Sequence, residues 1–561
     1  MRLGRLGQEL LLVSLGALVV SGLMNWPALA DPAHTIPADL GDPLLQSWQV
    51  SWDAHALLTD PLHFWDSNTF YPERLTLAYS DALVGYTPVG LLGSGAAATL
   101  VHYNILFWLT FALGSVGAYA LARQLGSRVP GALVAGLAFA YAPWKLGQAG
   151  HLHVLSSGGI PLALAMLARG YGYTLRGGYQ PDRVRPGWIV AGWLVAAWQV
   201  MLGFSIGLPF AYVLLVACLV AVVWWLVKRP PLPKSLIFCT LGGGLVFAAV
   251  GAMMARPYLQ VATQYPQAKR SVADLQLFSP PPWGFVTAPE TSTFWGPATK
   301  SLGSTLTAPA EMALFPGLVL IVLALLGAGY SVWSGRQRAW LGVGVLVSVV
   351  LCMGTTVFGG RFTYLPLLAL PGWDGLRTPG RLILWTTLLL GLLAAGFLTH
   401  VQDRLEARAP RPGSDLSWRA LALLLPALLV LGEGANTLAH PSPEPPPAAL
   451  ANAASPVLVL PSDSWWDSRT MWWTTNGFPQ VANGSSGFTP PSTDAIRKVA
   501  QSFPDRASVA HLRQAGIRTV ILMPDSTYGT PWEHAAEKPV NGLGVTREVD
   551  GRAVIYQIGR G

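Results

Sequence analysis

The sequence predicts a polytopic α-helical membrane protein that ends in a small α/β domain. Only 11% of the 561 residues are charged and 52% are hydrophobic, whereas a soluble domain has about 25% charged residues. The mean hydropathy is +0.42. Apolar runs of about 18 to 25 residues recur along the chain, and each is long enough to cross a bilayer. These runs stop near Leu438, where the composition becomes rich in proline.

The apolar runs predict about eleven membrane spans, which the positive-inside rule orients. The predicted spans are Leu10–Met24, Ile105–Ala122, Gly131–Trp144, Val154–Leu167, Trp188–Phe204, Ser205–Val227, Leu236–Met254, Met312–Val332, Ala339–Val357, Leu382–His400 and Ala420–Asn436. Lysines and arginines concentrate in alternate loops, such as those holding Arg123 and Arg128, or Arg408 and Arg411. This asymmetry predicts a cytoplasmic N-terminus and an extracytoplasmic C-terminus.

Two segments leave the span count open. Leu83–Val101 contains Gly, Pro and small residues, and it is predicted to be re-entrant or interfacial because a full span there would reverse the charge bias. Ala28-Leu29-Ala30 resembles a signal-peptidase site after the first apolar run. We expect the first helix to be retained, because many spans follow it.

The predicted domains are a membrane domain over residues 1–437, a proline-rich linker over 438–456 and an extracytoplasmic α/β domain over 457–561. Two large outer loops are expected in the membrane domain, at residues 31–82 and 255–310. In the first of these, Leu44, Trp48 and Trp52 recur at helical spacing within Pro43–Leu58. This pattern predicts an amphipathic helix that lies in the membrane interface, where indole rings prefer to sit.

Short apolar runs and periodic segments predict the elements of the C-terminal domain. Val457–Leu460 and Thr519–Met523 are typical of buried strands, Asp494–Phe503 and Ala507–Ala515 of helices, and Gly544–Val549 with Ala553–Ile558 of a closing hairpin.

Asp39 and Asp42, in the stretch ADLGDP at the head of the first outer loop, are the candidate catalytic residues. Gly41 and Pro43 predict a tight turn before the helix, which would hold Asp42 at the helix N-terminus. One interpretation is that Asp42 only caps the helix. The other is that the carboxylate acts at the membrane surface as a general base or metal ligand.

His151 and His153, in GQAGHLHVL, are candidate substrate-binding residues. They are predicted to lie at the outer end of a span, where Lys145 is also expected. In an extended turn the two histidines share a face, and one of them with Asp42 could bind a divalent cation. Nothing in the spacing identifies the metal. The alternative is a pair of interfacial histidines that bind the backbone.

Arg256, Arg377 and Arg381 lie at the predicted outer ends of spans. Arginine binds phosphate oxygens through a planar fork, so these residues are candidates for holding a lipid-linked phosphate at headgroup depth. Ordinary snorkelling toward lipid headgroups is the alternative for each of them.

Four tryptophans, Trp465, Trp466, Trp472 and Trp473, lie close together in the C-terminal domain. They could stack on sugar rings, anchor the domain to the membrane, pack its core or dock it on the spans. The net charge of +8 lies mainly at the ends of spans and predicts no nucleic-acid partner. No Walker A loop, dinucleotide fingerprint or G-x-S-x-G elbow is present, which argues against ATP hydrolysis and serine-hydrolase chemistry.

Several stretches resemble bacterial polytopic proteins of the GT-C glycosyltransferase-like superfamily. They include GDPLLQSWQVSW, FWDSNTFYPERLTLAYSD, LRTPGRLILW and RTMWWTTNGFPQVANGSSGFTPP. The resemblance covers most of the chain. It implies transfer of a sugar from a polyprenyl-phosphate donor to an extracytoplasmic acceptor, with an acidic residue of the first outer loop, here Asp42 or Asp39, as the catalytic group.

The expected function is therefore that of a membrane glycosyltransferase in a bacterial plasma membrane, acting on a cell-envelope glycan or lipid. His151, His153, Arg256 and Arg377 would correspond loosely to the later outer-loop residues of the superfamily. Two other hypotheses remain: a transporter of lipid-linked glycans, and a non-catalytic scaffold or glycan-binding protein. The scarcity of ionisable residues in the span centres argues against the transporter.

Overall fold

The computed structural model describes residues 5–407 and 416–559. The predicted loop arginines Arg408 and Arg411 lie outside the described residues, and so do the residues before Arg5. The α-helices are α1 (Arg5–Met24), α2 (Trp26–Ala30), α3 (Asp42–Thr59), α4 (Thr87–Gly90), α5 (Ala96–Leu125), α6 (Val129–Tyr141), α7 (Leu152–Leu155), α8 (Gly159–Gly170), α9 (Pro186–Leu202), α10 (Phe204–Lys228), α11 (Lys234–Gln264), α12 (Val272–Leu277), α13 (Trp295–Gly303), α14 (Pro309–Met312), α15 (Leu318–Gly329), α16 (Gly335–Cys352), α17 (Ile383–Ala407), α18 (Leu416–Glu433), α19 (Ala448–Asn452), α20 (Ser464–Trp473), α21 (Pro491–Ala500) and α22 (Arg506–Gln514). The strands are β1 (Tyr173–Thr174), β2 (Gly178–Tyr179), β3 (Val457–Leu460), β4 (Thr519–Leu522), β5 (Val545–Asp550) and β6 (Ala553–Ile558).

The chain folds into two compact units. The helical unit comprises Met1–Trp26, Phe107–Ala255 and Lys269–Leu438, and the mixed unit comprises Pro27–Leu106, Arg256–Ala268 and Ala439–Gly561. The whole of the predicted first outer loop, residues 31–82, therefore belongs to the same compact unit as the C-terminal domain.

In the helical unit, α17 packs against α6, α15 and α16. Small residues make the close approach possible. A Cβ added to Gly327 of α15 would lie 2.1 Å from the carbonyl oxygen of Leu393, and one added to Gly131 of α6 would lie 2.5 Å from that of Ala395. Because lipid tails are as apolar as leucine, such close backbone packing is a main source of helix association in membranes.

Within the described residues, six segments are long and apolar enough to cross a membrane: Gly7–Met24, Ala96–Leu125, Leu152–Gly170, Phe204–Lys228, Lys234–Gln264 and Pro379–Ala407. Large apolar side chains of α10 and α11, such as Leu219 and Leu241, are exposed, which is typical of lipid-facing surface. The chain is a multi-pass membrane protein. The count of about eleven spans stays a prediction, because α6, α9 and α15 are shorter than a bilayer-spanning helix of about 20 residues.

Two predicted boundaries differ from the structure. The stretch Leu83–Val101 is not one helix: it holds a 3₁₀ turn at Val84–Tyr86, then α4, and its last residues are the first turns of α5. Helix α11 continues to Gln264 and so extends into the predicted second outer loop. Helix α5 begins before its predicted apolar run, and helix α11 ends after its own. Polar residues can lie within a helix without ending it, so the apolar run does not mark the helix boundary.

The mixed unit contains a four-stranded sheet in the order β3-β4-β6-β5. β3 and β4 are parallel, whereas β6 is antiparallel to both β4 and β5. Residues of the sheet and of α21 and α22 share one apolar core, which includes Leu458, Val520, Tyr556, Ile496 and Leu512. The predicted strands, the two predicted helices and the closing hairpin are present, with boundaries that differ by at most three residues, whereas helix α20 was not predicted.

Helix α3 of the mixed unit is enclosed by protein. Leu44, Trp48 and Trp52 are 0%, 1% and 8% exposed. The indole of Trp48 donates to Asn68 Oδ1 at 3.2 Å and that of Trp52 to the carbonyl oxygen of Phe64 at 3.0 Å. The prediction of a helix lying in the membrane interface is wrong, because the apolar face that predicted it packs against the protein.

Candidate functional site

The Asp39–Asp42 turn places two carboxylates at the start of α3. Asp39 Oδ1 accepts a hydrogen bond from the backbone N–H of Gly41 at 2.7 Å. Gly41 is the N-cap residue, Asp42 is the first helical residue, and Pro43 follows it. Asp42 therefore does not occupy the capping position, and its carboxylate lies at the positive end of the helix dipole, which favours negative charge. Both carboxylates are half-buried.

Two aromatic residues of the same unit lie beside this turn. Tyr103 is fully buried and interacts electrostatically with Asp39 and Asp42, and its hydroxyl has no hydrogen-bond partner among the described residues. The ring of Trp465 lies against Gly41 and would be 2.7 Å from a Cβ placed there. The turn thus combines two acceptors, a buried phenol and an indole.

Asp53 is the second carboxylate of α3. Nothing in the sequence singles it out, because an aspartate on a surface helix would face water. It is fully buried, and neither carboxylate oxygen has a hydrogen-bond partner among the described residues. Burial raises the pKa of Asp53 well above its usual value. A neutral carboxylic acid is therefore expected at this position near neutral pH.

In the helical unit, Arg381 joins Glu311 to His153. Its guanidinium binds both oxygens of Glu311, with Nη2 at 2.5 Å from Oε1 and Nε at 3.2 Å from Oε2, and Nη1 lies 3.0 Å from His153 Nε2. Arginine can only donate, so His153 Nε2 accepts and the histidine proton is on Nδ1. Glu311 was not expected from the sequence, because an isolated acid in an apolar stretch shows no partner until the fold supplies one.

His151 joins the same network through Gln148. His151 Nδ1 donates to Gln148 Oε1 at 2.9 Å, and Gln148 Nε2 donates to Glu311 Oε2 at 3.1 Å. Burial alone raises the pKa of Glu311, but Arg381 and then His151 outweigh it, so that the pKa falls to about 2. A phosphate that bound Arg381 in the bidentate mode predicted from the sequence would have to displace Glu311.

The structure brings together three of the predicted substrate-binding residues: His151, His153 and Arg381. Arg377 lies over the ring of Phe278, also in the helical unit, with its guanidinium carbon 5.1 Å from the ring centre. Burial and the charge of Arg377 lower the pKa of Arg270, which indicates that these two guanidinium groups are close. Arg256 is an exposed residue of α11 in the mixed unit.

Lys145 was expected at the outer surface, but only 2% of it is exposed. Its ammonium group lies 3.2 Å from Ser157 Oγ and 4.9 Å from the centre of the Phe139 ring. Burial lowers the pKa of Lys145 to about 7. The turn at Pro143–Gln148 directs Lys145 into the protein, and its position at the outer end of a span stays a prediction.

The four tryptophans of α20 have different surroundings. Trp472 and Trp473 are buried, and their indoles donate to the carbonyl oxygens of Ala96 and Glu444 at 3.0 and 2.7 Å. Packing therefore explains this pair. Trp465 is 53% exposed, which packing does not explain.

Among the side chains that the structure describes, no cluster of three or more His, Cys, Asp or Glu residues has the arrangement of a metal site. The divalent cation considered from the sequence stays a hypothesis.

No protein-family model matches the chain, and no curated protein matches its sequence. Solved structures do match. The arabinofuranosyltransferase AftD from Mycobacteria aligns over 100% of this chain and 40% of its own, with 18% sequence identity and a TM-score of 0.54. The chain therefore spans about two fifths of the length of that enzyme.

Two further structures align along nearly the whole chain. The archaeal oligosaccharyltransferase AglB from Archaeoglobus fulgidus covers 98% of this chain and 74% of its own, at 13% identity and a TM-score of 0.46. ArnT from Cupriavidus metallidurans, solved with undecaprenyl phosphate, covers 98% of both chains at 15% identity and a TM-score of 0.43. At these identities the likeness concerns the fold, and AftD is the one of the three with a TM-score above 0.5. The chain has the fold of the GT-C glycosyltransferases.

Proposed function

We propose that the protein is a membrane glycosyltransferase that moves a sugar from a polyprenyl-phosphate-linked donor to an acceptor of the cell envelope, outside the plasma membrane. The observation that carries the proposal is the pair of carboxylates, Asp39 and Asp42, at the start of α3 in a chain with the GT-C fold. A glycosyltransferase needs such a group to take the proton of the attacking hydroxyl.

Asp42 is the proposed general base. As the first residue of α3, it is held by helix geometry on one side and by the Asp39–Gly41 hydrogen bond on the other. The oxygen of the acceptor hydroxyl forms the new bond to the anomeric carbon, the bond from that carbon to the donor phosphate breaks, and Asp42 takes the hydroxyl proton. Asp39 is proposed to position the turn, because one of its oxygens accepts a hydrogen bond from Gly41. We also propose that Asp39 binds a sugar hydroxyl.

Arg270 and Arg377 are the proposed phosphate-binding pair. Burial and then the charge of Arg377 lower the pKa of Arg270, which supports two guanidinium groups near each other, and arginine suits phosphate oxygens. Arg381 is the weaker candidate, because Glu311 already occupies its fork.

The test is a transfer assay on membranes with radiolabelled polyprenyl-phosphate sugars as donors. We expect Asp42→Asn to lower the rate by about 10²-fold or more, as the loss of a general base does, without changing the amount of protein in the membrane. Asp60→Asn is the matched control, because Asp60 belongs to the same loop but is exposed and paired with His63. Normal transfer by both Asp39→Asn and Asp42→Asn would contradict the proposal.

A panel of donor sugars is needed, since the fold does not identify the sugar. Movement of lipid-linked sugar across proteoliposomes, with no transfer from any donor in the panel, would favour the transporter hypothesis instead.

A further inference from the structure

Trp465 is the exposed member of the α20 tryptophans, and it lies against the proposed catalytic turn. A Cβ at Gly41 would be 2.7 Å from Cζ3 and 3.1 Å from Cε3 of its ring, and 3.1 Å from Asp39 Oδ1. The absence of a side chain at Gly41 therefore lets the indole edge come close to the turn. More than half of the residue, 53%, remains exposed.

The backbone that carries the indole is held at the start of α20. Asp463 caps this helix, and its Oδ1 accepts from the backbone N–H of Trp465 and of Trp466, each at 2.8 Å. One turn later, the buried Asp467 binds Arg497 at 2.7 Å and accepts from Asn483 Nδ2 at 2.7 Å. A ring held in this way loses little conformational freedom when a ligand covers it.

The neighbouring tryptophans already have partners that account for them. Arg469 covers the ring of Trp466 at 4.1 Å and binds Glu444 at 2.5 Å. Trp472 and Trp473 are buried and hydrogen-bonded to backbone carbonyl oxygens. Trp465 is thus the α20 tryptophan whose apolar surface is open beside polar groups.

The groups around it suit a sugar ring. A sugar has a face of C–H groups, which packs on an aromatic ring, and an edge of hydroxyl groups, which donate to carboxylates. Asp39 and Asp42 supply the acceptors, and the buried hydroxyl of Tyr103, which has no partner within the described residues, interacts with both of them. A few polar groups placed beside an apolar surface are typical of ligand sites.

We propose that Trp465 is a sugar-binding platform, on which the C–H face of a pyranose or furanose ring stacks while its hydroxyl groups bind Asp39 and Asp42. The part that the bound sugar plays in transfer rests on the proposed function. The binding of a sugar to Trp465 does not depend on it. The two carboxylates also make anchoring in an anionic membrane surface unfavourable for this indole, because like charges repel. The sugar is that of the donor or of the acceptor.

Binding is measured on the full-length protein in detergent, by saturation-transfer NMR with a panel of methyl pyranosides and furanosides. No lipid-linked donor is added, so that no turnover occurs during the measurement. We expect Trp465→Ala to weaken binding about tenfold, the size of one good aromatic contact, and Trp465→Phe to retain most of it. Tyr528→Ala is the control, because Tyr528 is an aromatic residue of the same unit that is 89% exposed and distant in sequence.

In the transfer assay, the variants separate the two sources of the sugar. A raised KM for the lipid-linked donor in Trp465→Ala assigns the platform to the donor sugar, and a raised KM for the acceptor assigns it to the acceptor. Glycoside binding that is equal in Trp465→Ala and the unaltered protein would overturn the inference, as would an equal loss in Tyr528→Ala. If Trp465-dependent binding is found while no transfer occurs with any donor, the proposed function fails and the platform stands.

Discussion

Asp53 is a buried acid, and neither oxygen of its carboxyl group has a hydrogen-bond partner within the described part of the chain. Its carboxyl group is completely enclosed by the packing of α3, and burial raises its pKa well above 3.8. An unpaired ionised carboxylate inside a protein costs several kcal/mol, so the group stays protonated instead. The sequence could not predict this, because the pattern of α3 alone does not tell protein from water or lipid on each face.

This carboxyl group makes a testable contribution to pH-dependent stability. As pH rises above 3.8, the unfolded chain releases the proton first, so the stability from Asp53 is complete below that pH and declines until the pH passes the folded pKa. The slope is at most about 1.4 kcal/mol per pH unit. We expect Asp53→Asn to flatten the fall in Tm between about pH 4 and pH 7.

The measurement is thermal unfolding in detergent across that pH range. Asp60→Asn serves as the control, because Asp60 lies at the end of the same helix and is exposed. An unchanged pH profile in Asp53→Asn would show that the carboxyl group is solvated or paired in solution.

The predicted site residues Arg381 and His153 have partners in the structure that the sequence does not indicate. Arg381 and His153, which were predicted separately, lie in one network. Glu311 forms an ion pair with the Arg381 guanidinium and so compensates its charge. The sequence identifies cations near span ends, whereas only the fold decides whether an acid from a distant segment reaches them.

At the scale of elements, helix packing in the helical unit depends on small residues at particular positions. Gly327→Ala is expected to destabilise the α15–α17 contact by about 1–3 kcal/mol, because the added methyl group would overlap the backbone of α17. Gly329→Ala is the matched control on the same helix, since a Cβ there meets nothing within 4 Å.

Unfolding in detergent, followed by tryptophan fluorescence or by aggregation, measures the difference between these two variants. Equal stability of Gly327→Ala and Gly329→Ala would mean that α15 and α17 are less closely packed than the structure shows, where a Cβ at Gly327 would lie 2.1 Å from the Leu393 carbonyl oxygen.

Elements were predictable where a local pattern decides them. The strands Val457–Leu460 and Ala553–Ile558 have the predicted boundaries, because short apolar runs bounded by Pro, Gly or charged residues have few alternatives. Helix α3 was predicted as Pro43–Leu58, within one residue of the observed helix at each end, but with the wrong surroundings. Periodicity indicates which residues share a face, and it does not indicate what covers that face.

At the scale of the whole molecule, the orientation in the membrane is a prediction from charge asymmetry. We expect Tyr528→Cys, in the C-terminal domain, to react with a membrane-impermeant maleimide on intact cells. Asp182→Cys lies in the loop between α8 and α9, which is predicted to be cytoplasmic, and it should react only after permeabilisation. Both positions are exposed, so accessibility to water does not distinguish them.

The native cysteines do not interfere greatly with this labelling, because Cys218, Cys239 and Cys352 lie within α10, α11 and α16 and are partly or fully buried. The reverse labelling pattern would invert the topology and would move the proposed site of sugar transfer to the cytoplasmic side.

The sequence by itself determined that the chain is a multi-pass membrane protein with a small mixed domain, because hydropathy and local periodicity depend on composition over short windows. It also determined the Asp39–Asp42 turn, since Gly41 and Pro43 specify it locally. Only the tertiary structure decided that α3 is enclosed by protein, that Asp53 is buried, that Glu311 binds Arg381 and that Trp465 lies against Gly41. Each of these is a contact between segments far apart in the chain, and their meeting depends on the packing of the whole fold.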